Sequence, residues 1–136
     1  MMQFYFLSVL LNLVCAFFLF YKSDRNSKLK DIKLLDNPVI ILITGCLTFV
    51  TGLVKLFLVC HGEKNGIIIL GDFIPSVSGL IGGSCLLLQY YKLNSSVELK
   101  LPEGVKKVFL DNNFIIAVVC AASAVLHFFL AKVIFF

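Results

Sequence analysis

Charged side chains are placed in this chain so that they leave four long stretches almost free of charge. Residues 1–21 carry none, 38–60 is broken only by Lys55, 73–91 follows Asp72, and 114–131 stops at Lys132. Each stretch is close to the ~20 residues with which a helix crosses a hydrocarbon core of ~30 Å. Helices and closed barrels are the two structures that satisfy a backbone in lipid, and these runs lack the in/out alternation of barrel strands. The sequence therefore predicts an all-α integral membrane protein, a four-transmembrane-helix bundle with helices over about 4–21, 38–60, 73–91 and 114–133. Of the 136 residues 60% are apolar and 15% charged, which excludes a disordered chain, a nucleic-acid module and a secreted disulfide scaffold. The domain is single, 1–136, and its first partner is the lipid bilayer.

The basic residues set the expected orientation. Lys22, Arg25, Lys28, Lys30 and Lys33 follow the first stretch and Lys92, Lys100, Lys106 and Lys107 the third, against Lys64 alone between the second and third. Basic loops stay cytoplasmic, so both longer loops are expected inside, and the termini and the His61–Gly66 turn outside. The first stretch reads as a retained helix: no basic residue precedes it, no small-residue cleavage pattern ends it, and its positive charges follow it. The net charge of +4 belongs to this topology signal and not to nucleic-acid binding, because Asp24, Asp31, Asp36, Glu98 and Glu103 are interspersed. Leu29, Ile32 and Leu35 among lysines, and Val105, Val108 and Phe109 opposite Lys106 and Lys107, suit short helices lying on anionic headgroups, or a surface for a cytoplasmic partner.

The two halves, 1–66 and 67–136, resemble each other. Phe20-Tyr21-Lys22 answers to Tyr90-Tyr91-Lys92, Cys15 to Cys85, and Leu35-Asp36-Asn37 to Leu110-Asp111-Asn112. With a three-residue deletion, Val54-Lys55-Leu56-Phe57-Leu58 matches Leu126-His127-Phe128-Phe129-Leu130. Asn caps, Pro38 at a first helical position and Tyr-Lys interface anchors explain part of this without duplication. Duplication of a two-helix hairpin would give parallel repeats about an axis along the membrane normal.

Cys15, Cys46, Cys85 and Cys120 fall inside the spans, where a thiol acts as a small apolar group. Cys60-His61 lacks the further ligands and spacing of a metal site, so neither metal nor cofactor is expected. Ser76, Gly79 and Gly83 form one small-residue face, with comparable faces from Gly45, Thr48 and Gly52, and from Ala117, Ala121 and Ala124. Such faces let helices approach closely, in the monomer or in an oligomer.

Ionisable groups at depth in a membrane are costly and mark candidate sites. Counting ~1.5 Å per residue from the cytoplasmic start of each helix puts Lys55 about 26 Å up the second and His127 about 20 Å up the fourth. Asp72 enters the third helix near the same level, and Asn12, Ser76 and Ser78 join them in an outer-half polar cluster. Each has a bland alternative: Lys55 can snorkel, Asp72 can cap the helix before Pro75, and His127 can donate to a backbone carbonyl. No GxSxG, HExxH, paired carboxylates or bis-histidine set is present, so no enzyme is expected.

Gly71-Asp72-Phe73-Ile74-Pro75, Leu88-Gln89-Tyr90-Tyr91 and Ala124-Val125-Leu126-His127-Phe128 together resemble a group of small uncharacterised four-span proteins of the bacterial inner membrane. The resemblance extends through spacing over nearly the whole chain and implies a location but no activity. We expect a non-enzymatic subunit or scaffold of a membrane assembly, with a homo-oligomer or another membrane protein as partner. The alternative is a small channel or proton-linked transporter using the polar cluster. Such a path needs polar groups over its whole depth, and the cytoplasmic halves offer only Thr44, Thr48, Ser84, Ser123 and Gln89.

Overall fold

A computed structural model describes residues 2–23, 33–60, 73–96 and 100–130. Among them the chain is all-helical: α1 (Met2–Lys22), a 3-10 turn (Lys33–Asp36), α2 (Pro38–Cys60), α3 (Ile74–Asn94), the short α4 (Glu103–Lys106), a π turn (Lys107–Asp111) and α5 (Asn113–Leu130). The long helices begin where the sequence signals place them. Asn37 Oδ1 accepts a hydrogen bond from the Val39 amide at 3.0 Å and Pro38 opens α2, so an amide left without an intrahelical partner is satisfied. Pro75 stands in the first turn of α3, and α3 runs on to Asn94, beyond the expected end at Tyr91.

Two helices are long and apolar enough to cross a membrane, α1 over Tyr5–Lys22 and α2 over Pro38–Phe57. The segment Glu103–Asp111 and α5 form a pair bent by 61° that would make a third if it is one span. The 21-residue α3 is as long as α1, but Ser76, Ser78, Ser84, three glycines and Gln89 dilute its apolarity. Most of them are turned inward: Ser76, Ser78, Gly79, Gly82, Gly83 and Gln89 are buried.

The long helices alternate in direction. At the end called upper here, α1 and α3 begin and α2 and α5 finish. Both α1 and α3 pack against all the other long helices; α2 lies chiefly on α3 and α5 chiefly on α1, while α2 and α5 make no comparable contact. The α2–α3 seam is closed by glycines. A Cβ on Gly83 would lie 2.7 Å from the Phe49 amide nitrogen, and one on Gly52 would lie 2.9 Å from Leu80 N and Ser76 O. Gly45 faces the Leu86 and Leu87 side chains, and Gly79 sits where Asn12, Thr48 and Gly52 converge. The expected small-residue faces therefore pack helices within the monomer. Ala117 is fully buried and Ala121 lies half-buried against the same core.

The core is a lower-half cluster of Phe18, Leu19, Tyr21, Ile41, Leu86, Ile116 and Ala117. Phe6, Leu10, Ile43, Val50, Phe57, Ile115, Leu126 and Phe129 are exposed around it. The hydroxyls of Thr48, Thr51 and Ser84 bond back to the carbonyls of Thr44, Leu47 and Leu80 at 2.7, 2.8 and 2.7 Å, satisfying each within its own helix.

The second of the two lower connections differs from the expected amphipathic helix, while in the first only the 3-10 turn Lys33–Asp36 is described. Residues 24–32 lie outside the described residues. In the second connection α4 widens into the π turn, which carries Val108 out to solvent exposure while Phe109 packs on the core, so Val105, Val108 and Phe109 do not share one apolar side. At the same end Asp36 accepts hydrogen bonds from the Tyr21 hydroxyl at 2.7 Å and the Lys22 ammonium at 3.0 Å, tying the end of α1 to the start of α2.

Candidate functional site

Buried polar side chains stand four residues apart on α1 and α5 and, for Ser78 and Gln89 of α3, eleven apart, about three turns, so each pair shares one face of its helix. On α1 they are Ser8 and Asn12, with half-buried Tyr5 a turn above; on α3 they are Ser78 and Gln89; on α5 they are Ser123 and His127. The three faces meet along the seam between these helices, and α2 adds Lys55 at its upper end.

The uppermost layer is Tyr5, Lys55 and His127. Lys55 Nζ lies 3.0 Å from His127 Nε2, and both residues are only 6% exposed. The lysine stem bridges two helices that otherwise scarcely meet, which is how α2 and α5 come to share a site. Tyr5 is the third member. Its hydroxyl donates to the His127 backbone carbonyl, its ring stacks at 44° on the imidazole with centroids 4.3 Å apart, and Lys55 Nζ sits 5.5 Å from its centroid.

One turn lower, Ser78 links three helices. Its hydroxyl lies 2.9 Å from the Ser123 hydroxyl and 3.5 Å from Asn12 Oδ1, and it also bonds the Pro75 carbonyl of its own helix at 3.1 Å. Asn12 Nδ2 donates to the same Pro75 carbonyl at 3.2 Å. Pro75 lies within the first turn of α3, so these bonds fix the entry of α3 against α1. Below them Cys15, Cys85 and Cys120 are fully buried. The Cys15 and Cys120 sulfurs converge opposite Gly82, and Cys120 Sγ donates to the Ser78 carbonyl at 3.4 Å. Gly82 makes room for them, since a Cβ there would stand 2.8 Å from both sulfurs. These thiols are thus a mutual cluster, beyond the small apolar groups the sequence suggested, whereas Cys46 is exposed. Leu19, Leu86, Ile116 and Ala117 then close the seam. Beneath this plug Gln89 Nε2 donates to Asn113 Oδ1 at 2.9 Å, and Gln89 Oε1 is buried without a hydrogen-bond partner among the described residues.

Of the expected cluster, the structure brings Lys55 and His127 into direct contact, with no intervening helix, and joins Asn12 to Ser78. Ser76 is fully buried where α3 meets Gly52 of α2. Asp72, His61 and the Cys60 side chain lie outside the described residues. Sequence reasoning missed Tyr5 as a site residue, because an aromatic near a helix end reads first as an interface anchor. It set Ser123 among scattered hydroxyls, although its spacing of four from His127 and three from Cys120 marks one face of α5.

A protein-family model matches residues 1–127. The chain belongs to that family, whose function is unknown. Neither the curated proteins nor the solved structures contain a significant match. What the arrangement can do chemically follows from its groups: the amine and imidazole nitrogens share one hydrogen bond beside the Tyr5 ring, and among the described residues no three metal-ligating side chains are grouped to hold an ion.

Proposed function

We propose that this chain is a four-span integral protein of the bacterial inner membrane, with α1, α2, α3 and α5 as its spans, its termini outside and its two basic loops cytoplasmic. Its role is non-enzymatic, that of a subunit or scaffold in a membrane assembly. The observation that carries this reading is the closed interior. The polar groups are bonded to one another, and Leu19, Leu86, Ile116 and Ala117 fill the seam below them, so the described seam is packed rather than open. What the molecule presents outward is apolar. Between α1 and α5 lies a groove of about 280 Å³ lined by Phe6, Leu10, Leu13, Val125, Phe128 and Phe129, a surface suited to lipid or to another transmembrane helix.

The halves also support duplication of a two-helix hairpin. Lys55 and His127 hold matching places in the two halves and touch, as equivalent positions beside a two-fold axis do. The packing of α2 on α3 and of α5 on α1 is the pairing such an axis generates.

Purification in mild detergent tests the subunit reading. A membrane protein held at fixed stoichiometry, or a defined homo-oligomer, with the association lost in Leu10→Asn, is the expected result. A monomer under every mild extraction condition overturns it. A second reading, a small channel or proton-linked transporter, is favoured by the polar layers reaching from Lys55 and His127 to the thiols. It predicts a pH-gradient-driven flux in proteoliposomes that His127→Gln abolishes. Vesicles no leakier than protein-free controls at every pH remove it.

A further inference from the structure

We infer that the contact between Lys55 and His127 is a proton-binding site that comes apart on taking up one proton, loosening the upper end of α2 from that of α5. The inference goes beyond the functional reading above, since it needs neither a partner nor conduction. A hydrogen bond between two nitrogens holds one proton between them, and one nitrogen must offer a lone pair. An ammonium has no acceptor, and an imidazolium carries a proton on both ring nitrogens. Nζ and Nε2 at 3.0 Å therefore form a pair at least one proton short of full protonation. This count holds whatever further partners the two groups have. With the lysine ammonium as donor and imidazole Nε2 as acceptor, a proton added at Nε2 removes the bond and sets two like charges side by side in a site only 6% exposed.

The fold gives that event a mechanical consequence. The Lys55 arm reaches between two helices that otherwise make little contact, whereas His127 is held from the other side by α1: Tyr5 bonds its backbone carbonyl and stacks on its ring. Protonation therefore acts on the joint between α2 and the α1–α5 pair. The ionisable group facing the pair from α1 is Tyr5, and α3 carries none above Cys85. The segment 61–72, with His61, Glu63, Lys64 and Asp72, lies outside the described residues and enters the test as controls. Imidazole is the side chain that ordinarily changes charge nearest neutral pH, so acid titration is the probe of the pair.

The test measures the separation of spin labels at Phe57→Cys and Phe129→Cys, the exposed positions just beyond the pair on α2 and α5, in full-length protein in nanodiscs. Cys46 and Cys60 are replaced by serine, while Cys15, Cys85 and Cys120 stay buried. Between about pH 8 and 5 the label distance is expected to lengthen reversibly, and the change to vanish in His127→Gln and in Lys55→Gln. An unchanged distance overturns the proposal. So does a change that persists in both variants, or one lost instead in Asp72→Asn or His61→Gln. Should neither substituted chain fold, nitrogen NMR of the histidines in His61→Gln, whose one remaining imidazole is His127, decides it. Imidazole protonation coinciding with the distance change supports the site, and lengthening without it overturns it.

Discussion

Asp36 shows how one side chain outside the helical spans joins two of them. The hydrogen bond from the Tyr21 hydroxyl, and then that from the Lys22 ammonium, hold its carboxyl below the usual carboxylate range. A carboxyl lowered by folding stabilises the protein above its unfolded-state value, about 3.9, and that contribution is lost as pH falls through its folded-state value. Asp36→Asn is therefore expected to lower Tm slightly near neutral pH, with the gap closing in acid as the folded-state carboxylate takes up its proton, and Tyr21→Phe to reproduce part of it. The effect is small because the carboxylate is 56% exposed and screened. Thermal unfolding in detergent at neutral and acid pH checks it, and a gap that stays constant rules the linkage out. At this scale the sequence was partly legible. Lys55 and His127 stand out because ionisable residues are rare in apolar runs, yet their contact was not readable: counting rise along each helix separately put them about 6 Å apart in height. A lysine arm absorbs such a difference, and helix spacing says nothing about side-chain reach.

At the scale of elements, glycine position decides how closely α2 and α3 approach. Gly83 opposes the Phe49 backbone, so an added methyl cannot be relieved by a rotamer change and the helices must part. Gly83→Ala is expected to cost about 1–3 kcal/mol. Gly45→Ala should cost less, because it meets the movable side chains of Leu86 and Leu87, and Gly104→Ala should be tolerated, since nothing lies within 4 Å. Unfolding of the three variants by denaturing detergent in mixed micelles ranks them, and equal losses would show that the seam is not packed through Gly83. The spacing of Ser76, Gly79 and Gly83 made this seam legible, as small residues three and four apart leave a flat helix face. Gly82, one position off that face, was harder to place, because its role depends on two sulfurs from other helices. The π turn over Lys107–Asp111 was not legible, since one extra residue in a turn leaves no periodic mark in so short a segment.

At the scale of the whole molecule, charge and fold agree on which end is which. The alternating helices bring Lys22 at the end of α1, Lys92 in the last turn of α3, and α4 with Lys106 to the same lower end, while Lys55 and His127 share the upper one. Basic groups gathered at one end favour keeping that end in the cytoplasm, whereas a buried lysine engaged with an imidazole and an aromatic ring inside the fold exerts less pull on orientation. In the proposed four-span arrangement the basic end is inside and the Lys55–His127 pair is near the outer face, where external acidification would reach it. Single cysteines at Lys28 and Lys64, in a chain with Cys46 and Cys60 changed to serine, test this with a membrane-impermeant thiol reagent. In intact cells Lys64→Cys is expected to react and Lys28→Cys only after permeabilisation. The opposite pattern would invert the molecule and turn the Lys55–His127 pair toward cytoplasmic protons. Equal labelling of both positions from one side would mean that an even number of crossings lies between them, so that α2, the long helix between the two positions, does not span the bilayer.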